Sequence, residues 1–137
     1  METVQYIVYV GRTYQIEWYY KQDKTMPAYE FYCSMLESDK ARFMVLVQHL
    51  ANAARGTFLP KKHYNIEDSK YGIYAFKPHA KRFLNFMTSE SKIIITNGFQ
   101  KQSQKIREKE RSEIRKSILY KQDYELRIKR GDYYKTK

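Results

Sequence analysis

Between Tyr71 and Lys105 the chain carries three short runs rich in aromatic and β-branched residues, Gly72 to Lys77, Arg82 to Met87 and Lys92 to Asn97. The links between them are too short for a crossover, so the runs are expected to pair as an antiparallel meander. Thr88 to Ser91 is the clearest turn. Lys77, Lys81, Arg82, Lys101 and Lys105 stand near the ends of these runs, where a polyanion would meet a rigid aromatic floor.

What precedes the meander reads as an extended N-terminal stretch followed by two helices. Val4 to Tyr20 is dense in β-branched and aromatic residues and is broken by Gly11 and Arg12, as a hairpin would be. Pro27 suits the first turn of a helix that runs to about Ser38. Ser38 and Asp39 are candidate caps for a second helix from Lys40 to Ala54, with Phe43, Leu46, Val47, Leu50 and Ala51 at helical spacing and Gly56 as its stop. Two helices so closely joined form a hairpin whose apolar face needs a sheet to cover it. Asn65 to Lys70 reads as an acidic polar loop.

From Ser103 the pattern is helical again, with Ile106, Ile114 and Ile118 as a thin apolar stripe, so most of this helix is expected to face solvent. The expected architecture is one α+β domain over residues 1–137: an N-terminal helical hairpin on a twisted antiparallel sheet, with a basic C-terminal helix and a flexible tail from about Tyr124.

Charge narrows the partners. The net charge is +11, from 26 Lys and Arg against 15 Asp and Glu, and a field of that sign favours RNA, DNA or an acidic protein. Residues 101–137 hold 13 of the basic residues and only 6 of the acidic ones, so most of the surplus lies there. The longest apolar run suited to a strand is Ile93 to Ile95, far short of the ~18 residues a spanning helix needs. Met1 to Gln5 has no signal-peptide pattern, and a cytoplasmic protein without a membrane partner is expected. Cys33 is the only cysteine; it forms no internal disulfide and is expected to pack in the core.

His49, His63 and His79 belong to no metal-ligand motif, and Glu67-Asp68 reads as a solvated pair. Phosphate-binding glycine patterns are also absent. The chemistry left is phosphodiester cleavage by the RNA's own 2′-hydroxyl, for which the protein supplies proton transfer and cations where charge grows. Arg82 is the candidate grip on the scissile phosphate, since its planar fork bonds two phosphate oxygens at once. Lys61, Lys62, Lys77 and Lys81 are candidate backbone clamps, and His63 and His79, set among cations, are candidate bases. Tyr64, Tyr71, Tyr74, Phe76 and Phe99 are candidate stacking platforms. Each has a plainer alternative: a solvent-facing strand arginine, solvated lysines, turn histidines and core aromatics.

Tyr29-Glu-Phe-Tyr with Leu36, Lys61-Lys62-His63, Phe76-Lys77-Pro78-His79 leading to Arg82-Phe83, and Asn97-Gly98-Phe99 followed by Lys101 and Lys105 together carry a resemblance. The chain resembles the RelE/HigB superfamily of toxins from toxin–antitoxin pairs, in its phage-derived branch, over roughly Tyr14 to Tyr124. That resemblance implies a RelE-like fold and an mRNA endonuclease that works on the ribosome without metal or cofactor and leaves 2′,3′-cyclic phosphate ends. It also implies a cognate helix-turn-helix antitoxin. Carried over by position, Arg82, Lys77, Lys101 and His79 form the expected catalytic set, and Lys61, Lys62, His63, Tyr64, Lys81, Phe99 and Lys105 the expected RNA contacts. The chain departs from the branch in having Gln102 after Lys101 and no histidine beyond His79, which leaves Tyr120 or Tyr124 as late proton-transfer groups by position. The alternatives are a basic domain that binds nucleic acid without cleaving it, and a partner-binding module that docks through its C-terminal helix.

Overall fold

Ile93, Ile94 and Ile95 are all fully buried, which an antiparallel sheet with one wet face would not allow. Both faces of this sheet are covered. The computed structural model describes residues 5–101 and 107–134, and the strands and helices are β1 (Ile7–Val10), β2 (Gln15–Trp18), α1 (Pro27–Cys33), α2 (Glu37–Asn52), β3 (Tyr64–Asp68), β4 (Ile73–Phe76), β5 (Lys81–Met87), β6 (Lys92–Gln100) and α3 (Arg107–Arg130). The six strands lie in the order β1-β2-β6-β5-β4-β3. Every pairing is antiparallel except β2 with β6, where Ile16 stands beside Ile93 and Trp18 beside Ile95.

The helical hairpin α1–α2 covers one face. Phe43 of α2 is completely buried, 4.2 Å from the Phe83 ring and stacked at 5.7 Å on Trp18. Leu46, Val47, Leu50 and Ala51 continue its stripe against Ile16, Ile93 and Ile95. Burying each of Phe43, Leu46, Val47 and Leu50 stabilises the fold by about 1.5–3 kcal/mol. α3 covers the other face, where Tyr124 packs on Phe86 and shares one buried cluster with Ile94, Leu84 and Phe99, with Ile114 and Ile118 packed alongside.

The chain after α3 is also built in. Tyr133 is buried and stacks on Tyr20 at 4.3 Å, and its hydroxyl accepts the Tyr20 N–H at 3.1 Å. The Tyr134 hydroxyl donates to the buried Glu17 at 2.6 Å. Arg127, also buried, donates to Asp123 at 2.7 Å and to the Tyr20 carbonyl at 2.9 Å, with its guanidinium 4.6 Å from the Tyr133 ring.

Several expectations are corrected here. The segment from Tyr124 to Tyr134 is packed, because its tyrosines supply the apolar surface that the lysines around them conceal in composition. Asn65 to Asp68 is strand rather than loop: β3 pairs with β4, with Asn65 opposite Ala75. Cys33 is exposed, since α1 ends there and turns Phe31, not Cys33, toward the sheet. The second helix begins at Glu37, with Leu36 rather than Ser38 or Asp39 at its N-cap. Ile106 lies outside the described residues. No described helix is long and apolar enough to cross a membrane.

Candidate active site

Strand alternation sorts the predicted cations between the two faces. Lys77, which follows Phe76, and Arg82, flanked by Lys81 and Phe83, fall on the α3 face, and Lys101 after Gln100 falls there too. These three line one cavity of about 190 Å³ beside the first turns of α3, together with Asn65, Glu67, Leu84, Phe99 and Glu110. The strand register explains the gathering: Arg82 stands opposite Phe99, and one step inward Asn65, Ala75, Leu84 and Asn97 form a row across four strands.

Backbone contacts fix the cations. The Lys101 N–H donates to the Ala80 carbonyl at 2.7 Å, which ties the end of β6 to the turn before β5. Arg82 Nη1 donates to the His79 carbonyl at 2.9 Å and to the Lys81 carbonyl at 2.8 Å. Its guanidinium is thereby oriented, and among the described residues Nε and Nη2 make no hydrogen bond. Burial lowers the Arg82 pKa, opposed by Glu67 and Glu110, but an arginine so placed keeps its charge at neutral pH.

The carboxylates Glu67 and Glu110 are new members of the set. Burial pushes the Glu67 pKa upward, against the attraction of Lys77, Arg82 and Lys101, and Glu110 adds to the rise. Glu110 differs, because its Oε2 accepts from Lys101 Nζ at 2.5 Å. Glu67 remains exposed at the surface, yet its pKa is raised and it stands among cations, which suits a carboxyl to proton transfer. Glu67 had a legible signal: in Tyr64-Asn-Ile-Glu-Asp it alternates with Asn65 on one face of an edge strand. Glu110 stands four residues before Ile114 on the inner stripe of α3.

Other expected site residues lie elsewhere. His79 adopts φ 56°, and its Nδ1–H donates to the Asp39 carboxylate of α2 at 2.7 Å, so it braces the β4–β5 turn against the helical hairpin. Lys81 points to the α1 face, bonded to the Gln100 side chain and 6.0 Å from the Phe31 ring. Lys61, Lys62 and His63 occupy the turn before β3, where His63 contacts Arg42 at 3.2 Å; desolvation, then Arg42 and Lys62, lowers its pKa. Tyr64 is a core residue, stacked on Tyr74 at 5.3 Å and bonded through its hydroxyl to Asn85 at 2.7 Å. Phe76 is likewise buried, whereas Phe99 is buried but forms a wall of the cavity. Lys105 lies outside the described residues.

The late tyrosines do not reach this cavity. Tyr120 stacks on Tyr19 at 4.9 Å, and Tyr124 is bonded to the Tyr134 hydroxyl at 2.8 Å, with its pKa raised by burial to about 12. His49 is exposed on α2, and among the described residues no cluster of three or more His, Cys, Asp or Glu is placed to hold a metal ion.

The fold and cavity define an α+β protein that carries a recessed, predominantly cationic site on one face of a mixed sheet. No family model matches the chain, and no curated protein is significantly similar to it.

Proposed function

We propose that the cavity cleaves RNA by transfer of a phosphodiester to its own 2′-hydroxyl, and that the chain is a RelE/HigB-like toxin acting on mRNA held by the ribosome in the cytoplasm. The observation that carries this reading is that Arg82 of β5, Lys77 just past β4 and Lys101 just past β6 meet in one cavity with Glu67.

The reaction assigns each group a step. The Glu67 carboxylate accepts the 2′-hydroxyl proton as the 2′-oxygen attacks phosphorus. Arg82 and Lys77 stabilise the extra negative charge on the non-bridging oxygens of the pentacoordinate transition state. The P–O5′ bond breaks, and Lys101 donates a proton to the departing 5′-oxygen. A 2′,3′-cyclic phosphate and a free 5′-hydroxyl result, with the cavity's own cations meeting the charge. Lys61 and Lys62 hold flanking phosphates or ribosomal RNA, and a helix-turn-helix antitoxin is the proposed cognate partner.

A second reading is favoured by one observation: His79, the only histidine expected in the catalytic set, is bound to Asp39 instead of facing the cavity. On that reading the chain is a basic domain that binds nucleic acid, or a partner, without cleaving anything. Purified protein added to translating ribosomes separates the two. The catalytic reading expects cleaved message with 2′,3′-cyclic phosphate ends, lost in Arg82→Ala with an unchanged circular dichroism spectrum. Binding without product, or full cleavage by Arg82→Ala, sinks it.

A further inference from the structure

The Arg82 cavity is not closed on its outer side. Lys101, Glu110 and Ile114 line it and also line a second, shallower groove of about 310 Å³, which among the described residues is completed by Arg107 and Arg111. The two hollows are therefore continuous across the Lys101–Glu110 ion pair. Arg107 and Arg111 are one helical turn apart on α3, so they project to the same side of the helix. Both are exposed, and the ion pair Arg111 makes among the described residues is a loose one with Glu108 at 3.8 Å, on a carboxylate that is itself exposed.

Size and charge say what the pair of hollows accommodates. At about 190 Å³ the inner cavity takes a phosphate and its ribose, and its cations are matched to a single phosphodiester. A base on that sugar has to leave through the open side, which runs into the groove beside Arg107 and Arg111. The same course carries the backbone past Lys101 to two exposed arginines.

We infer that Arg107 and Arg111 form a second phosphate subsite, so that the protein binds at least two consecutive phosphates of a single-stranded RNA. The inner one sits on Arg82 and Lys77, and the next on the first turns of α3. This rests on the proposal that the cavity receives RNA. The ion pair between the two subsites sets the spacing, with Lys101 shared and Glu110 keeping the strand from slipping inward by one phosphate. A mononucleotide fills only the inner subsite and binds weakly.

The test uses the full chain and a fluorescent hexanucleotide carrying 2′-O-methyl groups, which binds but lacks the attacking hydroxyl. Fluorescence anisotropy across a salt series compares wild type, Arg107→Gln/Arg111→Gln, and a control of equal charge change at the far end of α3, Lys129→Gln/Arg130→Gln. Each phosphate that the protein no longer neutralises reduces the slope of log K against log[salt] by about 0.7 for a single strand. The groove variant is expected to bind about tenfold or more weakly at low salt, with a slope reduced by about 0.7–1.4, while the control changes less than about twofold from the long-range field alone. Equal losses in the two variants, or none in the groove variant, overturn the subsite and leave the inner cavity standing. Absence of binding by wild type overturns the RNA reading and the subsite together.

Discussion

Tyr133 offers the sharpest test of whether the C-terminal segment belongs to the core. Its ring is 2% exposed, lies 4.3 Å from Tyr20 and 4.6 Å from Tyr124, and carries the Arg127 guanidinium at 4.6 Å. Tyr133→Ala removes the ring that Tyr20, Tyr124 and Arg127 pack against and leaves a void between sheet and helix. Truncating a buried aromatic of this kind costs about 3–5 kcal/mol. Tyr133→Phe keeps the ring but strips the acceptor from the Tyr20 N–H, now 3.1 Å from the hydroxyl. A buried N–H left without a partner costs about 1–2 kcal/mol. For a chain of 137 residues the unfolding entropy near the midpoint is about 0.29 kcal/mol/K, so the two variants should melt roughly 14 °C and 5 °C below wild type. Differential scanning calorimetry reads both, and urea titration checks the order. If Tyr133→Ala melts within about 3 °C of wild type, Tyr133 is a surface residue and the C-terminal segment is no clamp.

The remaining predictions concern the cavity and a close backbone approach. Glu67 has a raised pKa when folded, so its protonated form stabilises the fold at acid pH and that contribution is lost as pH rises through the folded value. Glu67→Gln should therefore be more stable than wild type at neutral pH, with the difference vanishing below the ordinary glutamate range; urea midpoints across pH that show the reverse sign refute the assignment. In the cleavage assay the same variant should lose about 10²–10⁴ in rate, along with the acid limb of the pH profile, which the raised pKa places above the usual glutamate range. Gly11→Ala puts a methyl carbon 2.5 Å from the Ala51 carbonyl oxygen, to which Thr13 and Tyr14 donate, whereas Gly98→Ala meets only the movable Phe31 ring, also at 2.5 Å. Overpacking costs about 1–3 kcal/mol, and Gly11→Ala should sit at the upper end with Gly98→Ala below it; equal urea midpoints for the two would contradict this order.

Local periodicity made much of the scaffold legible. The helical hairpin shows in the spacing of Phe43, Leu46, Val47 and Leu50, and the β4–β5–β6 meander in its short links. Tertiary pairings were less visible. The parallel match of Ile16 with Ile93 joins residues far apart in sequence, and no local pattern records it. Edge strand β3 was hidden because Glu67 and Asp68 read as solvated, and Glu67 is indeed exposed; what marks the strand is that Tyr64 and Glu67 turn to opposite faces of the sheet. In the candidate site, Arg82 and Lys77 follow from alternation about Phe83 and Phe76. The carboxylates do not, since Glu67 depended on recognising β3 and Glu110 on knowing which side of α3 meets the sheet. His79 misled because a histidine among cations reads as a base, while its partner Asp39 lies 40 residues away on α2.

Lys101 faces the cavity because β6 contains an irregularity. Along β5 the alternation is unbroken, with Phe83 and Asn85 toward the α2 side and Leu84 and Phe86 toward α3. On β6 the ladder passes from Ile95, opposite Asn85, to Asn97, opposite Leu84, and Thr96 is left over. Such an extra residue reverses the inside–outside parity of everything beyond it. Thr96 and Asn97 both turn to α3 as a result: Thr96 bonds the Ser117 hydroxyl at 2.7 Å, and Asn97 donates to the Glu113 side chain at 2.8 Å. Phe99 and Lys101 then fall on the α3 face with Arg82; regular pairing would have sent them to the α1 face with Lys81. The same two polar contacts pin α3 at Glu113 and Ser117, which sets Glu110, one turn earlier, against Lys101. One unpaired residue thus decides both the face on which the third cation appears and the position of the helix that closes the cavity.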